Sequence, residues 1–126
     1  MISKEDLEVF GYYDTFQDTN PSSSFKGYSD WVEGKIITEG QTRLIENVLG
    51  LVGEAGEVAE KIKKQIRDAT KVSDDDIVKE LGDVLFYTTA LANYYNKNLG
   101  FVVEVNVKKL DDRQERGVIK GSGDNR

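Results

Sequence analysis

Cysteine and histidine are both missing from the 126 residues, and proline and tryptophan occur once each. Without cysteine there are no disulfides, no thiolate nucleophile and no cysteine-ligated zinc. Without histidine, Ser-His triads and imidazole metal sites are excluded. Any catalysis must rest on carboxylates, Lys and Arg side chains, hydroxyls and a hard cation. Oxygen-only ligands suit Mg²⁺, with Mn²⁺ as a substitute. No apolar run has the length of a membrane span, and the acidic N-terminus MISKEDLEVF does not resemble a signal peptide, so a cytoplasmic protein is expected. The scarcity of proline permits long helices. A net charge of −6 argues against a nucleic-acid polymer or an anionic membrane as partner. It does not exclude a nucleotide, because a bound cation reverses the local field.

The length fits one domain. Leu7, Phe10, Tyr13 and Phe16 have helical spacing between Lys4 and Gln17, although Gly11 weakens a helix there. The polar stretch from Asp18 to Ser29, with Asn20-Pro21 and three serines, reads as a loop that leads into Trp31 and a short passage to Gly40. Leu44, Val48, Leu51, Ala55, Val58, Ile62 and Ile66 form the apolar stripe of one long helix ending near Ala69. Gly50, Gly53 and Gly56 would each cost about 1 kcal/mol relative to alanine inside it, which points to close approach by another helix or a ligand. Ser73 followed by three aspartates marks the next helix start. Ile77, Leu81, Val84, Leu85, Leu91 and Ala92 continue that helix to about Asn98-Leu99-Gly100. A fourth segment, Phe101 to Arg116, carries Val103, Val107 and Leu110 at helical spacing, but its β-branched start leaves a short strand open. The tail from Gly117 to Arg126 should be extended. The expected fold is all-α with a four-helix-bundle-like core.

Glu54-x-x-Glu57 and Glu80-x-x-Asp83 carry the chemistry. Residues three apart on a helix project close together, so each pair can aim two carboxylates at one volume. Helix phase places Glu80 and Asp83 beside Ile77, Leu81 and Val84, at the edge of the face that should be buried. Four acids packed together repel one another and raise each other's pKa, whereas a divalent cation turns the same group into a cage. Among 23 acidic residues, chance pairs on solvated faces are common, and the spacing leaves that alternative open.

The runs Gly50-Leu51-Val52-Gly53-Glu54-Ala55-Gly56-Glu57 and Glu80-Leu81-Gly82-Asp83 resemble the two halves of the MazG-like nucleoside triphosphate pyrophosphohydrolase signature, with 22 residues between Glu57 and Glu80. The resemblance covers residues 42–126 and divides one domain into a variable segment 1–41, a helical core 42–116 and a glycine-rich tail 117–126. It implies an all-α oligomer, a homodimer or homotetramer, that cleaves a nucleoside triphosphate to the monophosphate and pyrophosphate. Glu54, Glu57, Glu80 and Asp83 would hold Mg²⁺, and the cation would activate water and offset phosphoryl charge. Lys109 and Arg113 match basic phosphate-contacting positions, and Asn106 lies one turn before Lys109. Lys61 and Lys64 either reach phosphates or lie on solvated surface. Gly121-Ser122-Gly123, Asp124 and Arg126 could close over the phosphates. Trp31 is either a core anchor or a platform for the base. The chain is similar to the viral, MazZ-type branch acting on guanine nucleotides (dGTP or GTP); dUTP- and phosphoribosyl-ATP-cleaving relatives stay open. So do a nucleotide-binding sensor and a non-catalytic helical oligomerisation module.

Overall fold

The computed structural model describes residues 20–69, 71–117 and 123, so the segment Lys4–Gln17 lies outside the described residues, as do Asp124, Arg126 and most of the tail. The described chain is all-helical, with α1 Phe25–Lys35, α2 Gly40–Arg67, α3 Asp74–Tyr94 and α4 Leu99–Glu115. No helix among the described residues is long and apolar enough to cross a membrane.

The serine-rich stretch is only partly a loop, because α1 begins inside it. Asn20 organises a turn in which its side chain accepts from the Ser22 amide and hydroxyl, and its carbonyl accepts from Ser23. Ser24 then caps α1 by accepting from the Gly27 amide at 2.9 Å. Serines favour both turns and N-caps, so the run looks the same in sequence whether the chain ends or begins a helix.

The other boundaries follow from capping chemistry. Gly40 enters α2 with φ +58, where a side chain would be strained. Ser73 and Asp76 form a capping box at the start of α3. That helix ends at Tyr94, short of the expected Asn98. Asn96 takes a left-handed conformation (φ 59), and the Lys97 and Asn96 amides donate back to the Ala92 and Asn93 carbonyls. This is a Schellman ending with asparagine in the usual glycine position. The Asn98 side chain accepts from the Phe101 amide at 2.9 Å, so the β-branched run after it is helical and no strand forms there.

Contacts at Gly50–Tyr87, Lys61–Glu80 and Gln65–Asp74 run in opposite directions along the two chains, so α2 and α3 pack antiparallel. α1 lies against α3 and α4, and α4 against α1 and α3. Among the described residues, Val32, Ala90, Ala92 and Leu99 are the buried hydrophobic side chains. The buried Ser29 joins this corner. Its hydroxyl donates to the Phe25 carbonyl and accepts from the Leu99 amide, while its carbonyl accepts from Asn93. By contrast, Val48, Ile62 and Ile66 of the α2 stripe and Leu81 and Leu85 of the α3 stripe are exposed, as are Leu49, Val52 and Val78 beside them. The apolar stripe read from the sequence is therefore only partly covered within one chain.

Candidate active site

The antiparallel register brings Glu54 of α2 opposite Glu80 and Asp83 of α3. One carboxylate oxygen from each lies within 4.8 Å of the others. Glu54 and Glu80 are half-buried and Asp83 is exposed. Glu57, one turn beyond Glu54, is exposed and stands outside this triad, although its charge still acts on Glu54. The expected quartet is thus a close triad with a fourth acid beside it. The Glu54 carboxyl is pushed above its ordinary range, first by burial, then by the charge of Asp83, a hydrogen bond with Glu80 and the charges of Glu80 and Glu57. Such a group is under electrostatic stress until positive charge arrives.

Part of that charge comes from the protein. Lys61 lies 3.8 Å from Glu80, so it stands at the acids. Lys64 is exposed in the last turn of α2 and makes no ion pair among the described residues. Gly50 meets its expectation of a close approach, because a Cβ there would run into the Tyr87 ring. Gly53 and Gly56 do not meet another helix. Both face open space beside the acids, which leaves room for a ligand.

The basic residues of α4 are arranged differently from the sequence expectation. The resemblance implies that Lys109 and Arg113 contact phosphates, but Arg113 is 4% exposed and donates to the Gly123 carbonyl at 3.2 Å. Arg113 therefore joins Gly123 to α4. Lys109 and Asn106 line a separate cavity with Ala92, Tyr95, Lys97 and Phe101. No described contact joins Asn106, Lys109 or Arg113 to the acids.

Trp31 is not a buried anchor, being 40% exposed. It stacks on Tyr28 with centroids 5.7 Å apart and meets Phe86 edge-on at 6.0 Å; Lys35 lies over its ring. Tyr28 was missed in the sequence because the loop assignment hid its helical spacing from Trp31. Its hydroxyl is held above the ordinary range by burial and by the charge of Asp83, which places this aromatic wall beside the acids.

A helical domain that converges carboxylates from two antiparallel helices, beside an aromatic wall, has the parts of a cation-dependent enzyme acting on a nucleotide. The MazG nucleotide pyrophosphohydrolase domain matches residues 43–118, and the chain belongs to this family. It is therefore a nucleoside triphosphate pyrophosphohydrolase. The Gene 37 protein of Mycobacterium phage L5 is 51% identical over 82 residues, spanning 62% of this chain and 72% of that protein. No solved structure matches.

Proposed function

We propose that the chain hydrolyses a (deoxy)nucleoside triphosphate in a Mg²⁺-dependent reaction, with guanine nucleotides (dGTP or GTP) favoured. One water is consumed, the anhydride bond between the α- and β-phosphates breaks, and the monophosphate and pyrophosphate leave. The carrying observation is the triad of carboxylate oxygens within 4.8 Å. An all-oxygen donor set fits Mg²⁺ or Mn²⁺, and the raised Glu54 carboxyl is relieved by a cation. Glu54, Glu80 and Asp83 would hold the ion, and Glu57 would complete the set from its neighbouring turn. When bound, the cation supplies Lewis-acid stabilisation of the charge on the phosphates.

The chain's own residues supply the rest. Lys61 holds Glu80 and adds positive charge at the phosphate end. Trp31 and Tyr28 offer a stacking surface to the base. Lys109 and Arg113 keep their role as phosphate ligands only if the tail carbonyl of Gly123 gives up Arg113 when substrate arrives. Asn106, Lys64, Asp124 and Arg126 are the further candidate phosphate ligands. The half-exposed apolar face of α2 and α3 supports a homodimer or homotetramer, since a lone copy leaves Leu49, Val52, Ile66 and Val78 in water. The phage relative supports a viral protein working in the host cytoplasm.

The test is release of pyrophosphate and monophosphate from a panel of NTPs and dNTPs with Mg²⁺ and with EDTA. Stoichiometric release of both products with Mg²⁺ and none with EDTA is expected. Release of orthophosphate alone, or of nothing, overturns this reading.

A further inference from the structure

The acids and the aromatic wall stand on different helices, so their spacing depends on how α1 is held. Tyr28, Trp31 and Lys35 recur at three and four residues and share one face of α1. Trp31 meets Phe86 of α3 edge-on, one turn past Asp83. Glu33 follows Trp31 by two residues, about 200° around the helix, and so lies on the far side of α1. The buried Ser29 and Val32 fall between these two sides. A roll of α1 about that buried line would displace the wall and Glu33 together.

Glu33 is held from the start of the helix that carries Glu54. Arg43, Asn47, Gly50 and Glu54 follow at spacings of four, three and four, and Gly50 meets Tyr87 of α3. Arg43 is therefore on the side of α2 that faces the groove between α2 and α3, roughly 16 Å along the axis from Glu54. Its two terminal nitrogens donate to the two Glu33 oxygens at 2.8 and 2.6 Å, and one of them also donates to the Ala90 carbonyl of α3 at 3.5 Å. Asn93 of α3 bonds the same Glu33 carboxylate and donates to the Ser29 carbonyl. The Arg43 side chain is 13% exposed, and its Nε–H is buried without an acceptor. An apolar residue would fill the seam without that orphaned donor. What arginine adds is a planar fork, whose two parallel bonds fix an angle as well as a distance. Glu33, Arg43 and Asn93 thus lock three helices at one junction, on the opposite side of α1 from the wall.

Resting on the pyrophosphohydrolase reading, we propose that Glu33 and Arg43 are positioning residues for the triphosphate. Neither touches it. By fixing the rotation of α1, their fork holds Trp31 and Tyr28 in place relative to the carboxylates of α2 and α3. Loss of the fork leaves the α2–α3 seam and its acids intact, so it weakens binding and spares the chemical step.

The experiment measures kcat and KM for the triphosphate that wild type cleaves fastest, in Arg43→Met, Glu33→Ala, the double variant and Ser73→Ala. The emission of Trp31, the only tryptophan, is recorded alongside. Arg43→Met and Glu33→Ala should each raise KM about three- to tenfold, as for a lost stacking contact, with kcat within about twofold of wild type. The double variant should be no worse than either single one, because both remove the same fork. Trp31 emission should shift to longer wavelength in all three. Ser73→Ala removes the cap of α3 at a comparable cost in stability and should move neither KM nor emission. Unchanged KM in the single variants, additive effects in the double variant, or the same response in Ser73→Ala overturns the proposal while leaving the pyrophosphohydrolase reading intact. If Arg43→Met does not fold by circular dichroism, Glu33→Ala, at an exposed position, decides against Ser73→Ala. If wild type cleaves no triphosphate, the activity reading fails, and the junction is judged by Trp31 emission. A shift in Arg43→Met and Glu33→Ala but not in Ser73→Ala supports it, and any other pattern contradicts it.

Discussion

The two ends of the α2–α3 groove are built from the same helices and the same faces, yet they store opposite kinds of dissatisfaction. At one end, Glu54, Glu80 and Asp83 crowd negative charge that repels itself. At the other, Asn47 keeps a neutral donor buried and unmade among aromatic rings. Between them the Tyr87 ring lies on Gly50, so that the helices touch closely at the middle of the seam. The charged end is suited to a cation, whereas the neutral end carries no charge for one to offset.

The sharpest way to break this division is at the acids. Glu80→Gln should lower turnover by about a hundredfold or more, beyond the 10–100-fold typical of groups behind a metal ligand, with helical content unchanged by circular dichroism. Retained activity would remove Glu80 from the cation site. The close middle contact is tested by Gly50→Ala, which should cost about 1–3 kcal/mol in urea unfolding through overpacking against Tyr87. An unchanged midpoint would mean that the seam has slack.

Outside the groove, Arg43 grips Glu33 with two hydrogen bonds of 2.8 and 2.6 Å and joins α2 to α1. The Arg43 hydrogen bond holds the Glu33 carboxyl below its ordinary range. A lowered folded-state pKa means stability that is present above the unfolded value, near pH 4.3, and lost as pH falls through the lower folded value. Arg43→Ala should therefore cost about 1 kcal/mol near neutrality, given the exposure of Glu33, and the deficit should shrink below about pH 4. A deficit that stays constant across that window would contradict the ion pair as its cause. The smallest effect is expected from Glu54→Gln in EDTA, where relief of repulsion should raise the melting temperature by roughly 2 °C, a few tenths of a kcal/mol in a domain of this size. A lower melting temperature would show that Glu54 is not under like-charge stress.

The readable parts of the sequence were those with strong periodicity or obvious charge. The stripe of α2, the Ser73 helix start with its three aspartates and the acids on two consecutive helices are all legible in the sequence. Glu57 falls outside the triad because three residues along a helix is only nearly one turn, and which of two acids faces the partner helix depends on packing. Arg113 reads in the sequence as a phosphate-contacting position, since nothing local records that it bonds the Gly123 carbonyl. Tyr28 stayed hidden in a serine-rich stretch whose turn and cap use the same residue type. Asn47 could not have been found from pattern alone. An asparagine in an apolar stripe becomes informative only when its missing partner is seen.

The central claim is that the α2–α3 carboxylates form a divalent-cation site, and a thermal melt across a Mg²⁺ titration tests it most directly. A site present only in the folded state should raise the wild-type melting temperature progressively, by about 2.7 kcal/mol of stability at a hundred times the dissociation constant. Glu80→Gln should lose most of that rise. Identical curves for wild type and Glu80→Gln, or no rise in wild type, would contradict the account.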